Sequence, residues 1–175
     1  NPLNEYNSLI KIGISHVKNN QNEEAKIIFK KAIEHNSKQP YGYLNLSNLY
    51  LIENKVESAQ ELLFQYISNI GFNEEIVNHL GKICLQYKQY DQLKKLFLSS
   101  KLNINKKTHY QHTLFFLEGR YYEELSKINE AIKSYKKSIK CNKNFEPAYI
   151  SLLNLLESVN DFENLEKFIN TGLNL

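Results

Sequence analysis

The sequence is poor in the residues that break helices or cross-link small folds. It has three prolines, six glycines and two cysteines among 175 residues. So few prolines and glycines leave room for long helices. The two cysteines, Cys84 and Cys141, are isolated, which excludes a disulfide framework and a cysteine-rich zinc motif. They favour reduced thiols and therefore a cytoplasmic location.

Long apolar runs and targeting signals are lacking as well. No run approaches the roughly 18 apolar residues of a membrane-spanning helix, and no signal-peptide pattern is present. The chain contains no methionine and begins Asn1-Pro2, which predicts that it is a fragment of a longer protein.

Charge of one sign does not dominate the chain. The net charge is +3, and the basic residues mostly alternate with glutamate. The charge by itself therefore does not indicate binding to nucleic acid or to an anionic surface. Apolar residues make up 42% of the sequence, which is enough to build a core and excludes a disordered chain.

What is present is a repeated pattern of small residues. Gly119 and Ala131 are twelve residues apart, as are Gly13 and Ala25, and Ala59 follows Ala25 by thirty-four. A constant period of this size is typical of an array of helical repeats. Small residues in mid-helix let two helices approach closely, and packing has to offset the cost of glycine there.

A second set of positions predicts the turns. One polar residue occupies the same break in each repeat: Asn20, Asn54, Lys88, Ser126 and Asn160. A tight turn between antiparallel helices needs a residue with positive φ, and asparagine is the best substitute for glycine there. The pattern predicts a left-handed turn residue at each break.

These offsets resemble the tetratricopeptide repeat (TPR), over nearly all of the chain. The resemblance implies an all-α fold, a right-handed α-solenoid of about ten antiparallel helices that stack into a superhelix. It implies a single domain, 1–175, with repeats at about 6–39, 40–73, 74–107, 112–145 and 146–175. Four extra residues precede repeat four, which predicts that its first helix begins a turn early.

Catalytic and metal-binding patterns are not found. The sequence has no nucleophile elbow, phosphate-binding loop or dinucleotide fingerprint. His109 and His112 are three residues apart but lack the further ligands of a zinc site, and Cys84 falls in a core position. We therefore expect no catalytic residue, no metal and no cofactor, so that this segment is not an enzyme.

The resemblance also implies a binding groove on the concave side of the array, lined by first helices. The residues that map to it are Tyr41, Asn45, Asn48, His79, Lys82, Arg120 and Asn154. Most of them are hydrogen-bond donors, so they predict a protein or peptide partner with an acidic or carboxylate-bearing segment. The same pattern also fits a merely solvated face. Tyr41 and Tyr110 lie off the core positions and are expected to be contact residues.

Three alternatives stay open. The chain could be the recognition arm of a larger enzyme, such as a transferase, with catalysis elsewhere. It could bind RNA as pentatricopeptide repeats do, but their repeats run about one residue longer. The apolar face of repeat five (Leu165, Ile169, Leu173) lacks a covering helix, which predicts a homodimer or the docking of another domain.

Overall fold

The structure is a computed structural model and describes residues 2–102 and 109–161 together with Glu163 and Glu166. These residues form nine α-helices and no strand, which confirms the all-α fold class. The helices are α1 (Pro2–Lys18), α2 (Asn22–His35), α3 (Tyr41–Ile52), α4 (Val56–Asn69), α5 (Glu74–Gln86), α6 (Tyr90–Leu102), α7 (Gln111–Glu124), α8 (Ile128–Cys141) and α9 (Glu146–Ser158). The body of the tenth predicted helix and the apolar face of repeat five lie outside the described residues.

The helices pack as consecutive hairpins. Helix α1 packs on α2, α3 on α4, and α7 on α8. The second helix of a hairpin also packs on the first helix of the next, as α2 does on α3 and α8 on α9. This stacking of neighbours is the α-solenoid arrangement. The chain divides into two compact units, residues 1–83 and 84–175.

The five predicted turn residues all have positive φ. Their φ angles are 58° at Asn20, 57° at Asn54, 53° at Lys88, 56° at Ser126 and 54° at Asn160. At the first turn, the N–H of Asn20 donates to the carbonyl of Val17 (3.0 Å) and that of Gln21 to His16 (2.9 Å). The other four turns repeat this pair of bonds. Each first helix therefore ends in a Schellman motif, which satisfies its last carbonyls as the chain reverses.

Two of the predicted small residues face aromatic rings of the partner helix. A Cβ atom on Gly13 would lie closer than 3.0 Å to the ring of Phe29, and one on Gly119 would meet the ring of Tyr135 in the same way. Both rings are fully buried. Glycine is therefore required where the ring of the second helix lies against the backbone of the first, which confirms the predicted close approach.

The core of the first unit joins successive hairpins. Ala25 and Phe29 of α2 cluster with Leu46 and Leu49 of α3. The N–H of Gly42 donates to the buried hydroxyl of Tyr6 at 2.9 Å, which ties α1 to the start of α3.

The core of the second unit has the same organisation. Residues of α7, α8 and α9 form one cluster: Phe116, Ala131, Tyr135, Ile139, Ala148, Leu152, Leu155 and Leu156. Within this unit, the hydroxyl of Ser138 donates to the carbonyl of His112 at 2.7 Å. A hairpin alone would leave these side chains exposed, so its neighbour supplies the burial.

Two expectations from the sequence are wrong. Tyr110 is only 8% exposed, so it is a packing residue and not a surface contact. Helix α7 begins at Gln111, eight residues before Gly119, while α5 begins seven residues before Gly81. The first helix of repeat four thus begins one residue earlier than that of repeat three, not one turn.

None of the helices in the described ranges is long and apolar enough to cross a bilayer.

Candidate functional site

Three of the predicted binding residues lie in a row on α3. Tyr41, Asn45 and Asn48 are spaced i, i+4 and i+7, which places them on one face of the helix. Tyr41 is 49% exposed, whereas Tyr6, Phe29, Tyr43 and Tyr66 of the same unit are buried. Asn48 is exposed, whereas the amide of Asn45 already donates to the carbonyl of Tyr41 at 2.7 Å. This row therefore presents an aromatic ring and an accessible amide.

Two more of the predicted residues lie on α5. His79 and Lys82 are spaced i and i+3 and share a face of that helix. His79 is half-buried, and its Nε2 atom lies 3.4 Å from the hydroxyl oxygen of Ser47 on α3. The structure thus brings α3 and α5 together at this point, next to Asn48. We refer to Tyr41, Asn45, Asn48, His79 and Lys82 as the α3/α5 surface.

The charge on this surface comes from Lys82. Burial, and then the nearby charge of Lys82, lower the pKa of His79 below its ordinary value. The imidazole is therefore neutral at pH 7, where it can both donate and accept a hydrogen bond. Lys82 is exposed and carries the positive charge that a carboxylate would meet.

The two remaining predicted residues lie in the second unit. Arg120 of α7 is exposed, and its Nε atom is 3.9 Å from a carboxylate oxygen of Glu123. Glu123 also accepts a hydrogen bond from the hydroxyl of Tyr135. The charge of Arg120 is thus partly balanced within its own helix. Asn154 is exposed on α9.

The Tyr135 hydroxyl belongs to the packing of this unit. Burial, followed by the hydrogen bond to Glu123, raises the pKa of Tyr135 far above its ordinary value. The neighbouring carboxylate of Glu118 accepts a hydrogen bond from Ser134 at 2.9 Å. These acidic residues of α7 therefore fasten α8 to α7, a role that their sequence positions did not indicate.

The described residues hold no group of three or more metal-ligating side chains. His109 precedes α7 and is exposed, while His112 is buried with its ring edge-on to Phe145 at 4.6 Å between centroids. The two histidines consequently do not share a helix face. The thiol of Cys84 is buried, as its core position predicted.

The pairing of Ser47 with His79 was missed by sequence reasoning. The hydrogen bond joins residues that are 32 positions apart and belong to different repeats. A clue was available, since Ser47 and Gly81 hold the same repeat position and His79 lies two residues before Gly81.

The comparisons with known proteins agree with this fold. The sequence profile of the tetratricopeptide repeat matches residues 6–39 and 112–145, the bounds predicted for repeats one and four. No curated protein matches the sequence at a significant level.

Several solved structures share the architecture at low sequence identity. PilF of Pseudomonas aeruginosa superposes with a TM-score of 0.69 and 16% identity, over 99% of this chain and 77% of its own. A thermophilic TPR protein of Thermus thermophilus gives 0.61 and 16%, over 97% and 90% of the two chains. MamA of Desulfovibrio magneticus RS-1 gives 0.58 and 12%, over 98% and 94%. Together with the helix hairpins and Schellman turns, these matches show that residues 6–39 and 112–145 are tetratricopeptide repeats and that the chain has the fold of this repeat family.

Proposed function

We propose that the chain is a non-catalytic scaffold that binds a segment of a partner protein on the α3/α5 surface. The observation that carries this proposal is the contact between Ser47 and His79. This contact joins two successive first helices beside the exposed Asn48 and Lys82, which supports a ligand that crosses both helices.

The chemistry of the surface suits a polypeptide segment. Tyr41 offers a large exposed ring, and tyrosine is enriched at the centres of protein interfaces. The amide of Asn48 can donate to and accept from a peptide group. Lys82 can pair with a carboxylate of the segment. Adjacent helix axes lie about 8–10 Å apart, so about three extended residues would bridge α3 and α5.

Arg120 and Asn154 hold the repeat position of Asn48 and Lys82 in the second unit. We propose that they contact a partner in the same way, Arg120 through the hydrogen-bond donors of its guanidinium and Asn154 through its amide. Because Glu123 partly balances Arg120, the preference for a carboxylate rests mainly on Lys82.

Affinity capture from a lysate with a matched pair of variants tests the proposal. The test variant is Asn48→Ala with Lys82→Ala. The control is Gln65→Ala with Lys30→Ala, which removes an exposed amide and an exposed lysine from the second helices α4 and α2. We expect the wild type and the control to retain a protein that the test variant loses, at unchanged helicity by circular dichroism. If all three chains capture the same proteins, the α3/α5 surface is not the binding site.

A further inference from the structure

Positive charge is concentrated on α8 and the turns that flank it. Residues 127–143 contain six lysines and a single acidic residue, Glu130. This stretch carries a charge of +5, although the whole chain carries +3, so the remaining residues sum to −2. The even balance of the composition therefore hides one strongly basic segment.

Four of these lysines lie on one face of α8. Lys133, Lys136, Lys137 and Lys140 are spaced i, i+3, i+4 and i+7, and all four are exposed. The opposite face is buried in the core of the second unit. The lysine positions span about 10 Å along the helix axis, two turns in length. We call these four residues the lysine surface.

The lysine surface borders a shallow hollow, open to solvent, of about 380 Å³ with a mostly carbon lining. Asn129 and the half-buried Ile132 complete the lining. The ammonium group of Lys137 lies 5.2 Å from the centre of the Phe115 ring, which holds that side chain in place by a cation–π contact. The aliphatic stems and Ile132 can thus cover an apolar group while the ammonium groups meet anions.

We propose that the lysine surface binds an acidic amphipathic helix of a partner protein. Acidic side chains spaced i and i+4 on such a helix advance by about one turn at a time, as the lysines of α8 do. The apolar residues of the same ligand face would occupy the hollow beside Ile132. This is helix recognition by complementary charge around an apolar centre.

Two other anionic partners fit the surface less well. Single-stranded nucleic acid is bound through exposed aromatic rings on which bases stack, but Phe115 lies half-buried beneath Lys137. A membrane-bound amphipathic helix inserts its apolar face into the lipid. The apolar face of α8, with Ala131, Tyr135 and Ile139, is buried in the protein core.

The proposal is tested with a synthetic helical peptide that carries glutamates at i, i+4 spacing with leucines between them on one face. Its affinity is measured by fluorescence anisotropy for the wild-type chain, for Lys133→Glu with Lys136→Glu, and for Lys30→Glu with Lys31→Glu. The last pair reverses two exposed lysines on α2 and changes the net charge by the same amount. Vesicles containing phosphatidylserine and single- and double-stranded DNA serve as competing probes.

We expect the peptide to bind the wild type and the α2 variant alike, and the α8 variant about tenfold or more weakly. Affinity should also fall as salt is added. An equal loss in both variants would overturn the proposal, because it would reflect net charge alone. Absence of binding, or tighter binding to vesicles or DNA than to the peptide, would also overturn it. If the α8 variant loses helicity, Lys133→Gln with Lys136→Gln replaces it.

This surface and the α3/α5 surface are tested by different variants. Asn48→Ala with Lys82→Ala should leave the affinity for the acidic peptide within about twofold of the wild-type value. Failure of either proposal therefore leaves the other standing.

Discussion

The hydroxyl of Ser47 and the imidazole of His79 lie 3.4 Å apart and link two successive first helices of the repeat array. Burial and the neighbouring Lys82 lower the pKa of this imidazole, so the folded chain favours its neutral form. Protonation of His79 therefore connects the stability of the first unit to pH at the proposed binding surface.

The first prediction concerns this pH dependence. The unfolded chain takes up a proton on His79 near pH 6.5, whereas the folded chain does so at a lower pH. The contribution of His79 to stability is therefore complete well above pH 6.5 and is lost as the pH falls through 6.5 towards the lower pKa of the folded chain. Urea unfolding midpoints of the wild type and of His79→Gln should differ less as pH falls through this range. A difference that is constant with pH would contradict the prediction.

The second prediction concerns the turn at Lys88. Lysine is held there at a φ of 53°, where only glycine avoids a steric cost. Lys88→Gly should raise the free energy of unfolding by about 0.5–1 kcal/mol. Lys30→Gly, inside α2, should lower it by about 1 kcal/mol because no turn there benefits from glycine. Thermal unfolding of both variants measures these shifts, and the same sign for the two would refute the role assigned to Lys88.

The third prediction concerns Gly119. An alanine in mid-helix normally stabilises a chain by up to about 1 kcal/mol relative to glycine. Here the added Cβ would collide with the buried Tyr135 ring, so Gly119→Ala should destabilise the chain by about 1–3 kcal/mol.

The matched control for Gly119→Ala is Glu61→Ala on the exposed side of α4, which should stay within about 0.5 kcal/mol of the wild type. Chemical denaturation compares the two variants. A Gly119→Ala chain as stable as the wild type would mean that Tyr135 can move away from the backbone.

The fold could be predicted because its constraints are local and repeated. A residue with positive φ is needed at every break between helices. Asparagine at three of the breaks (Asn20, Asn54 and Asn160) indicated this requirement, and the repeat spacing then assigned the same role to Lys88 and Ser126. The small residues could be predicted for the same reason. Gly13 and Gly119 occupy the same repeat position, and each faces an aromatic ring sixteen residues later.

The candidate site was less predictable because it depends on contacts between repeats. The bond from Ser47 to His79 requires the relative rotation of α3 and α5, which a helical period does not give. Tyr110 was misplaced because it lies just before the first residue of α7, where the spacing of helix positions does not apply. The four lysines of the lysine surface, by contrast, can be recognised in the sequence by their i, i+3, i+4, i+7 spacing. They were overlooked because the charge was averaged over the whole chain.

The most direct test of the α3/α5 surface is photo-crosslinking at Tyr41. A photoreactive phenylalanine analogue replaces Tyr41 in one chain and Ile27, a similarly exposed residue on α2, in another. Both chains are irradiated in the lysate that yields a captured protein. We predict a covalent adduct with that protein from the Tyr41 chain and none from the Ile27 chain. An adduct from Ile27 alone, or equal adducts from both, would contradict binding at the α3/α5 surface.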